Sequence, residues 1–203
     1  MKSDVIVQKE KGQIVKICRF RKEFEKELYI YKKNPDFAPK LLGHNKVNTL
    51  QIKYVEGSPV IDLIFPDFRK IATVFASLHN LEKKGDLVIC LVDTNPRNII
   101  FCSSEKKYYL IDFSEWEYDH AETDLIHFLL FWCSLYKKDR FGHAMKDFLN
   151  SYQKYNQINT LEWKLLVEET TEKFDHRRNK FNKSEKISNP DTATNRQLLI
   201  SAV

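Results

Sequence analysis

The sequence predicts an α+β fold in two parts, a small strand-rich region over residues 1–56 with one helix, and a larger helical region over residues 57–203. Three observations predict it. Short β-branched runs crowd the first part. Apolar residues at helical spacing dominate from Phe68 onward. A single strand hairpin, near residues 98–112, interrupts the helical part.

The elements follow in order. VIVQK and QIVKI flank a turn at Glu10, Lys11 and Gly12 and read as a hairpin. FRKEFEKELYIYKK repeats Phe20, Phe24, Leu28 and Tyr31 at helical spacing, and Pro35 and Pro39 end that helix. TLQIKYV is a strand stopped by Glu56, Gly57, Ser58 and Pro59. DFRKIATVFASLHNLEKK carries Phe68, Ile71, Ala72, Phe75 and Leu78 on one face and reads as a helix. LVICLV is a short buried strand, and NIIFC with KYYLID forms a hairpin around Ser103, Ser104 and Glu105. AETDLIHFLLFWCSLY is a strongly apolar helix, and two further helices are expected near 139–156 and 160–181. The tail from Lys183 has mixed polarity, with LLISAV as a docking segment. No internal repeat is present.

Composition bounds the function. At 203 residues with 42% hydrophobic content, the chain can bury a core without staples. The net charge of +5 is locally concentrated: residues 9–33 hold nine Lys/Arg against four Glu, and residues 176–186 hold five against one. Such clusters attract phosphates, nucleic acid or anionic headgroups, although solvated helix faces account for most of them. Cys18, Cys90, Cys102 and Cys133 show no paired spacing and no zinc pattern, which reads as reduced, mostly buried thiols. The N-terminus lacks the apolar core of a signal peptide. The apolar run Leu125–Leu135 is shorter than the ~20 residues a membrane helix needs. A soluble, cytoplasmic protein is expected.

The chemistry sits in ICLVDTNPRNIIF and YYLIDFSEWEYDHAETDL. One strand delivers Asp93, Asn98 follows five positions later, and the next strand ends at Asp112. Two carboxylates and a carboxamide suit hard divalent cations bound between protein and phosphate. Phosphoryl transfer needs little more than such charge neutralisation and in-line positioning of two oxygens. As isolated residues, Asp93 and Asn98 also fit a turn. Arg97 and the lack of a following glycine exclude a calcium loop.

Asp93-Thr-Asn-Pro-Arg-Asn98 followed by Ile111-Asp112-Phe113 resembles the catalytic loop and metal motif of the protein-kinase-like superfamily, above all its aminoglycoside phosphotransferase, choline kinase and lipopolysaccharide kinase branch. The resemblance covers roughly residues 5–135. It implies a two-lobed fold with a reduced N-terminal β lobe and a helical C-terminal lobe, and ATP and magnesium as cofactors. It implies that Asp93 is catalytic and that Asn98 and Asp112 hold the metal. Val15-Lys16-Ile17 looks like the strand lysine that holds nucleotide phosphates, and Glu27 like its partner, with Glu23 a rival. Tyr54, Val55 and Glu56 look like the hinge that meets adenine. Asp124 resembles the buried aspartate that props the catalytic loop, and Ala76-Ser77-Leu78-His79 the helix end before it.

The sequence also departs from that pattern. Leu91 stands where the family has the histidine of His-x-Asp, and Ser114 where protein kinases have a glycine. The five glycines form no G-x-G-x-x-G. Either the hairpin at Gly12 joins the family's second and third strands, leaving Met1–Asp4 for the first, or the turn over 10–13 is itself a degenerate phosphate loop and Lys16 is misassigned. Ile14 shares a face with Lys16 and crowds the adenine side. Only 12 positions separate Asp112 from Asp124, which leaves no room for a peptide-binding segment and favours a small acceptor. Glu115, Glu117, Asp119 and Glu122 make an acidic stretch that reads as a solvated loop or as an attraction for a cationic acceptor; Trp116 and Tyr118 stack on substrate or cover the core. The expected partners are a nucleotide and a hydroxyl-bearing acceptor. The alternatives are an inactive pseudokinase acting as a binding module and an atypical protein kinase that associates with nucleic acid.

Overall fold

Among the described residues, hydrophobic patterning and turn chemistry are realised as ten short strands and six α-helices. The computed structural model describes residues 3–181 and 189–203. In chain order the elements are β1 Asp4–Gln8, β2 Gln13–Ile17, α1 Arg21–Lys32, β3 Leu41–His44, β4 Thr49–Lys53, β5 Ser58–Pro59, α2 Phe68–His79, β6 Lys83–Lys84, β7 Leu87–Cys90, β8 Ile99–Cys102, β9 Lys107–Leu110, β10 Glu117–Asp119, α3 Ala121–Cys133, α4 Lys138–Tyr152, α5 Trp163–Phe181 and α6 Thr192–Ile200. The mixed α+β class and the helical C-terminal part are those the sequence predicts.

The chain forms two compact units. The first joins the described residues up to Pro66 with Pro96–Trp116; the second joins Asp67–Asn95 with the described residues from Glu117 onward. The expected division at 56/57 cuts the chain by linear order, whereas the contact-based units each draw on two separate segments.

In the first unit an antiparallel sheet runs in the order β1-β2-β4-β3. The β1–β2 hairpin pairs Gln8 with Gln13 and turns through a short 3₁₀ segment, Lys9–Lys11, closed by Gly12 at φ 61°. A residue with a side chain is strained at that φ, which is why glycine ends the turn. Helix α1 places Phe24, Glu27, Ile30 and Tyr31 on its buried face. Burying Phe24 and Ile30 completely contributes about 1.5–3 kcal/mol each. Phe20, expected on that apolar face, precedes the first helical residue and is exposed. A second sheet, β5-β8-β9, carries the hairpin that ends near Asp112. Gly57 passes so close to β8 that a Cβ there would fall 2.3 Å from the Phe101 carbonyl oxygen.

The second unit packs an aromatic core between helices α2, α3 and α4. Phe75 meets Phe128 at 5.2 Å and Phe148 at 5.6 Å between ring centroids. The residues expected on one face of the α2 helix, Phe68, Ile71, Ala72, Phe75 and Leu78, are all buried. A third sheet, β10-β7-β6, completes the unit. Helix α6 is tied to the end of α3 by Asn195, whose Nδ2 donates to the carbonyls of Cys133 at 3.0 Å and Tyr136 at 2.8 Å. Trp163 Nε1 donates to the Leu199 carbonyl at 2.8 Å.

Several expectations change. The acidic stretch is partly ordered: Glu117–Asp119 form β10, paired with β7, and Glu122 is buried with Oε1 accepting from the Asn159 amide at 2.6 Å. The first half of LLISAV, Leu198–Ile200, ends α6, with Leu199 fully buried. The basic cluster at 176–186 and the start of the tail at Lys183 lie partly or wholly outside the described residues.

Candidate active site

The first unit brings Lys16, Glu27 and Asp112 together. Lys16 stands in the middle of β2, paired with Val5 on one side and Leu50 on the other. Glu27 comes from the buried face of α1, where spacing of three and four residues aligns it with Phe24 and Tyr31. Lys16 Nζ donates to Glu27 Oε1 and, at 2.9 Å, to Asp112 Oδ1. The rival Glu23 instead sits in the first turn of α1, with Oε2 accepting from the Phe20 amide at 3.4 Å.

Asp112 follows β9 in the left-handed region, at φ 66°. Backbone strain of this kind clusters at functional sites. Ser114 Oγ donates to Asp112 Oδ1 at 2.8 Å, so the residue that replaces glycine here holds the carboxylate. Asn98 lies across the same hairpin: the Ile111 amide donates to its carbonyl at 2.9 Å, extending the β8–β9 ladder to the neighbour of Asp112. Trp116 lies on α1, its Nε1 donating to the Lys26 carbonyl at 2.8 Å and its ring stacked on Tyr29 at 5.3 Å. It thus ties the segment after Asp112 to the helix that carries Glu27.

Charge explains the electrostatics of this group. Burial by itself lowers Lys16, but Glu27 and Asp112 more than offset it and hold the ammonium above its ordinary range. Burial pushes Glu27 up to about 7 against the pull of Lys16, with the Asp112 charge pushing the same way. Burial also raises Asp112, but Lys16 and the hydrogen bond from Ser114 outweigh it and keep the carboxyl below its ordinary value. Asp112 is therefore an anion at neutral pH. Lys16 and Ser114 both use Oδ1, and the side chain is 41% exposed, so a cation can reach the carboxylate. With Asn98 beside it the donor set is oxygen only, which fits magnesium and not a thiophilic metal. Glu27 Oε2 is buried and has no hydrogen-bond partner.

The expected hinge residues Tyr54, Val55 and Glu56 form an irregular segment after β4. The Tyr54 amide is already engaged by the Gly12 carbonyl at 2.8 Å.

Asp93 belongs to the second unit, in the loop that leaves β7. Asp124 of α3 braces that loop: Oδ2 accepts from the Leu91 amide at 2.7 Å and Oδ1 from the Val92 amide at 3.2 Å. His79 completes the brace. Its Nε2 lies 3.3 Å from Asp124 Oδ2, and its Nδ1 lies 2.7 Å from the Tyr152 hydroxyl. On the other side of Asp93, Thr94 Oγ1 lies 2.8 Å from His127 Nδ1. Sequence reasoning missed the Thr94–His127 pair. The available signal was that His127 falls three residues after Asp124 and so on the same helix face.

His79, Cys90 and Asp124 bring three ligand atoms within 4.8 Å of one another, all buried. Burial raises the Cys90 thiol well above its ordinary range, and its Sγ reaches the carbonyls of Asp119 and His120. With both nitrogens of His79 and both oxygens of Asp124 engaged, hydrogen bonding alone accounts for the cluster.

Comparison with solved structures decides the fold. A choline kinase from Streptococcus pneumoniae matches at a TM-score of 0.61 and 14% identity, over 100% of this chain and 90% of that one. An aminoglycoside phosphotransferase from Alicyclobacillus acidocaldarius matches at 0.64 and 12% identity, over 99% and 89%. This is the protein-kinase-like fold. A spectinomycin phosphotransferase, solved with ADP and spectinomycin, shares the kinase-like fold at a TM-score of 0.60 and 7% identity, over 99% and 85%. No protein-family model matches the sequence, and no curated protein matches it. Among the described residues, no helix is long and apolar enough to cross a membrane.

Proposed function

We propose that the chain is an ATP- and magnesium-dependent phosphotransferase that moves the γ-phosphate to a hydroxyl of a small molecule, sugar or lipid headgroup. The observation that carries this reading is the Lys16–Glu27–Asp112 group, in which the buried ammonium of Lys16 is held between the carboxylates of Glu27 on α1 and Asp112 just after β9. The fold, shared with choline kinase and aminoglycoside phosphotransferase structures, supports it. The lobe division at 56/57 and the cytoplasmic location belong to the same reading.

Each residue then has a task. Lys16 donates to the α- and β-phosphate oxygens and is aimed by Glu27. Val55 and Glu56 meet adenine through their backbone, together with the Tyr54 carbonyl, since the Tyr54 amide is taken. Asn98 and Asp112 hold magnesium, which when bound neutralises charge on the phosphates. Asp93 accepts the proton of the acceptor hydroxyl as its oxygen bonds to the γ-phosphorus; the bridging P–O bond breaks and ADP leaves. General-base assistance of this kind contributes ~10²–10⁴-fold.

Thermal unfolding with ATP plus magnesium, against ATP plus chelator, tests the proposal in wild type and Asp112→Asn. Nucleotide at ~100 times its dissociation constant stabilises by ~2.7 kcal/mol, which for a chain of this size raises Tm by roughly 5–10 °C. A metal-dependent rise that Asp112→Asn abolishes supports the site, and transfer to a hydroxyl acceptor that Asp93→Asn slows at least ~10²-fold completes the case. Absence of any rise overturns it. A second reading, a nucleotide-binding module without turnover, is favoured by the lack of any glycine-rich loop at the β1–β2 turn and by Leu91 in place of histidine. It predicts the metal-dependent rise without transfer.

A further inference from the structure

The loop that carries Asp93 is held on both sides by one helix. On the N-terminal side, Asp124 takes the Leu91 and Val92 amides. Val92 sits at φ 65°, a conformation that β-branched residues rarely adopt, so the loop needs outside support. On the C-terminal side, the support is a side chain. Thr94 is buried, and its Oγ1 lies 2.8 Å from Nδ1 of buried His127. Asp124 and His127 stand three residues apart in α3, so both anchors issue from one helix face.

His127 is itself fixed. Its ring lies edge-on to Phe131 at 5.4 Å and to Phe174 at 5.3 Å. Burial lowers its pKa to about 4, so the ring is neutral at physiological pH and meets the Thr94 hydroxyl in either tautomer. The proposed chemistry uses Asp93 but gives no task to Thr94 or His127.

We propose that His127 is a positioning residue that acts through Thr94 to fix the orientation of Asp93 toward the acceptor hydroxyl. The inference rests on the phosphotransferase reading. Displacement of a catalytic group by about 1 Å can cost ~10²-fold in rate. Loss of the Thr94 hydroxyl therefore lowers kcat, whereas nucleotide binding by the first unit is untouched.

The test compares Thr94→Val, which keeps the shape and removes the hydroxyl, with Thr94→Ser, which keeps the hydroxyl. His127→Phe and His127→Asn form the second pair, since an asparagine amide can replace Nδ1. Thr94→Val and His127→Phe are expected to lower kcat ~10–100-fold, with KM for ATP and the magnesium-dependent rise in Tm unchanged. Thr94→Ser and His127→Asn are expected to recover most of the loss. Amide hydrogen exchange, which needs no activity, is read in parallel. The Thr94 amide exchanges faster in the two disruptive variants and is restored in the two conservative ones. The inference is overturned if Thr94→Val matches wild type in both readouts, or if Thr94→Ser is as impaired as Thr94→Val. A wild-type protein without transfer activity defeats the functional reading instead, and exchange then decides whether the brace exists.

Discussion

Lys16 and Glu27 depend on each other because neither carries its charge comfortably alone. Glu27 is 0% exposed, and only Lys16 offsets the penalty of burying its carboxylate. In Lys16→Met that carboxylate loses its counter-charge, a change that costs ~3–5 kcal/mol when the orphaned partner stays ionised. The folded-state pKa of Glu27, already about 7, then rises further. Because the folded state holds the proton at pH values where the unfolded chain has released it, stability falls as pH rises above the unfolded value. Urea unfolding of Lys16→Met is therefore expected to show a larger deficit at pH 8 than at pH 5.5. Lys16→Met/Glu27→Gln should recover much of it. At this scale the sequence was half legible. Lys16, Glu27 and Asp112 were visible through the resemblance to the protein-kinase-like motifs, which names a strand lysine, a helix glutamate and an aspartate at a strand end. Thr94 and His127 were not, because they meet only after α3 returns to the loop, 33 residues along the chain.

Helix α2 shows what a single element demands. Its amphipathic pattern dictates the helix, but the start is set by Asp67, whose Oδ1 accepts from the Arg69 amide at 3.1 Å and the Lys70 amide at 3.2 Å. Asp67→Ala leaves those amides without their cap, and an expected loss of ~1 kcal/mol lowers Tm by roughly 2–4 °C, as calorimetry can measure. Elements with strong periodicity, such as β1, β2, β4, α1, α2 and α3, could be read from the chain. The missed ones lack that signal. Strand β3 is LLGH, which neither alternates nor is well buried, and it exists because β4 offers an edge. Strand β10 is Glu-Tyr-Asp, poor in β-formers except Tyr118, and its partner β7 fixes it. Helix α6 crowds its large apolar residues, Leu198, Leu199 and Ile200, at one end without helical spacing, and is held by Asn195 and Leu199.

For the molecule as a whole, pH acts through its buried groups. The His127 pKa is about 4 in the folded state, against about 6.5 for an unburied histidine. The unfolded chain thus binds a proton that the folded chain refuses. Stability from this group is complete above pH 6.5 and is lost as pH falls toward 4, to the extent of about 3 kcal/mol. His127→Asn has no such proton to exclude. The stability gap between wild type and variant is expected to narrow by about 2–3 kcal/mol from pH 7 to pH 4.5, as denaturant titration at each pH can establish. The kinase-like class was legible at this scale because motif order and element order agree over most of the chain. The makeup of the compact units was not, since β8 and β9 join the first unit through long-range pairing, as in the match of Ser58 with Phe101.

That pairing bears on how the protein is born. The first unit is discontinuous: strand β5, the close passage of Gly57 and the Asp112 partner of Lys16 all wait for residues 98–112. During synthesis, Lys16 and Glu27 leave the ribosome long before Asp112 does. The nascent N-terminal sheet, complete at Lys53, must persist with its charged centre incomplete while roughly sixty further residues are added, a span of about 3–12 seconds at ordinary elongation rates. Until then the first unit lacks the strands that complete it.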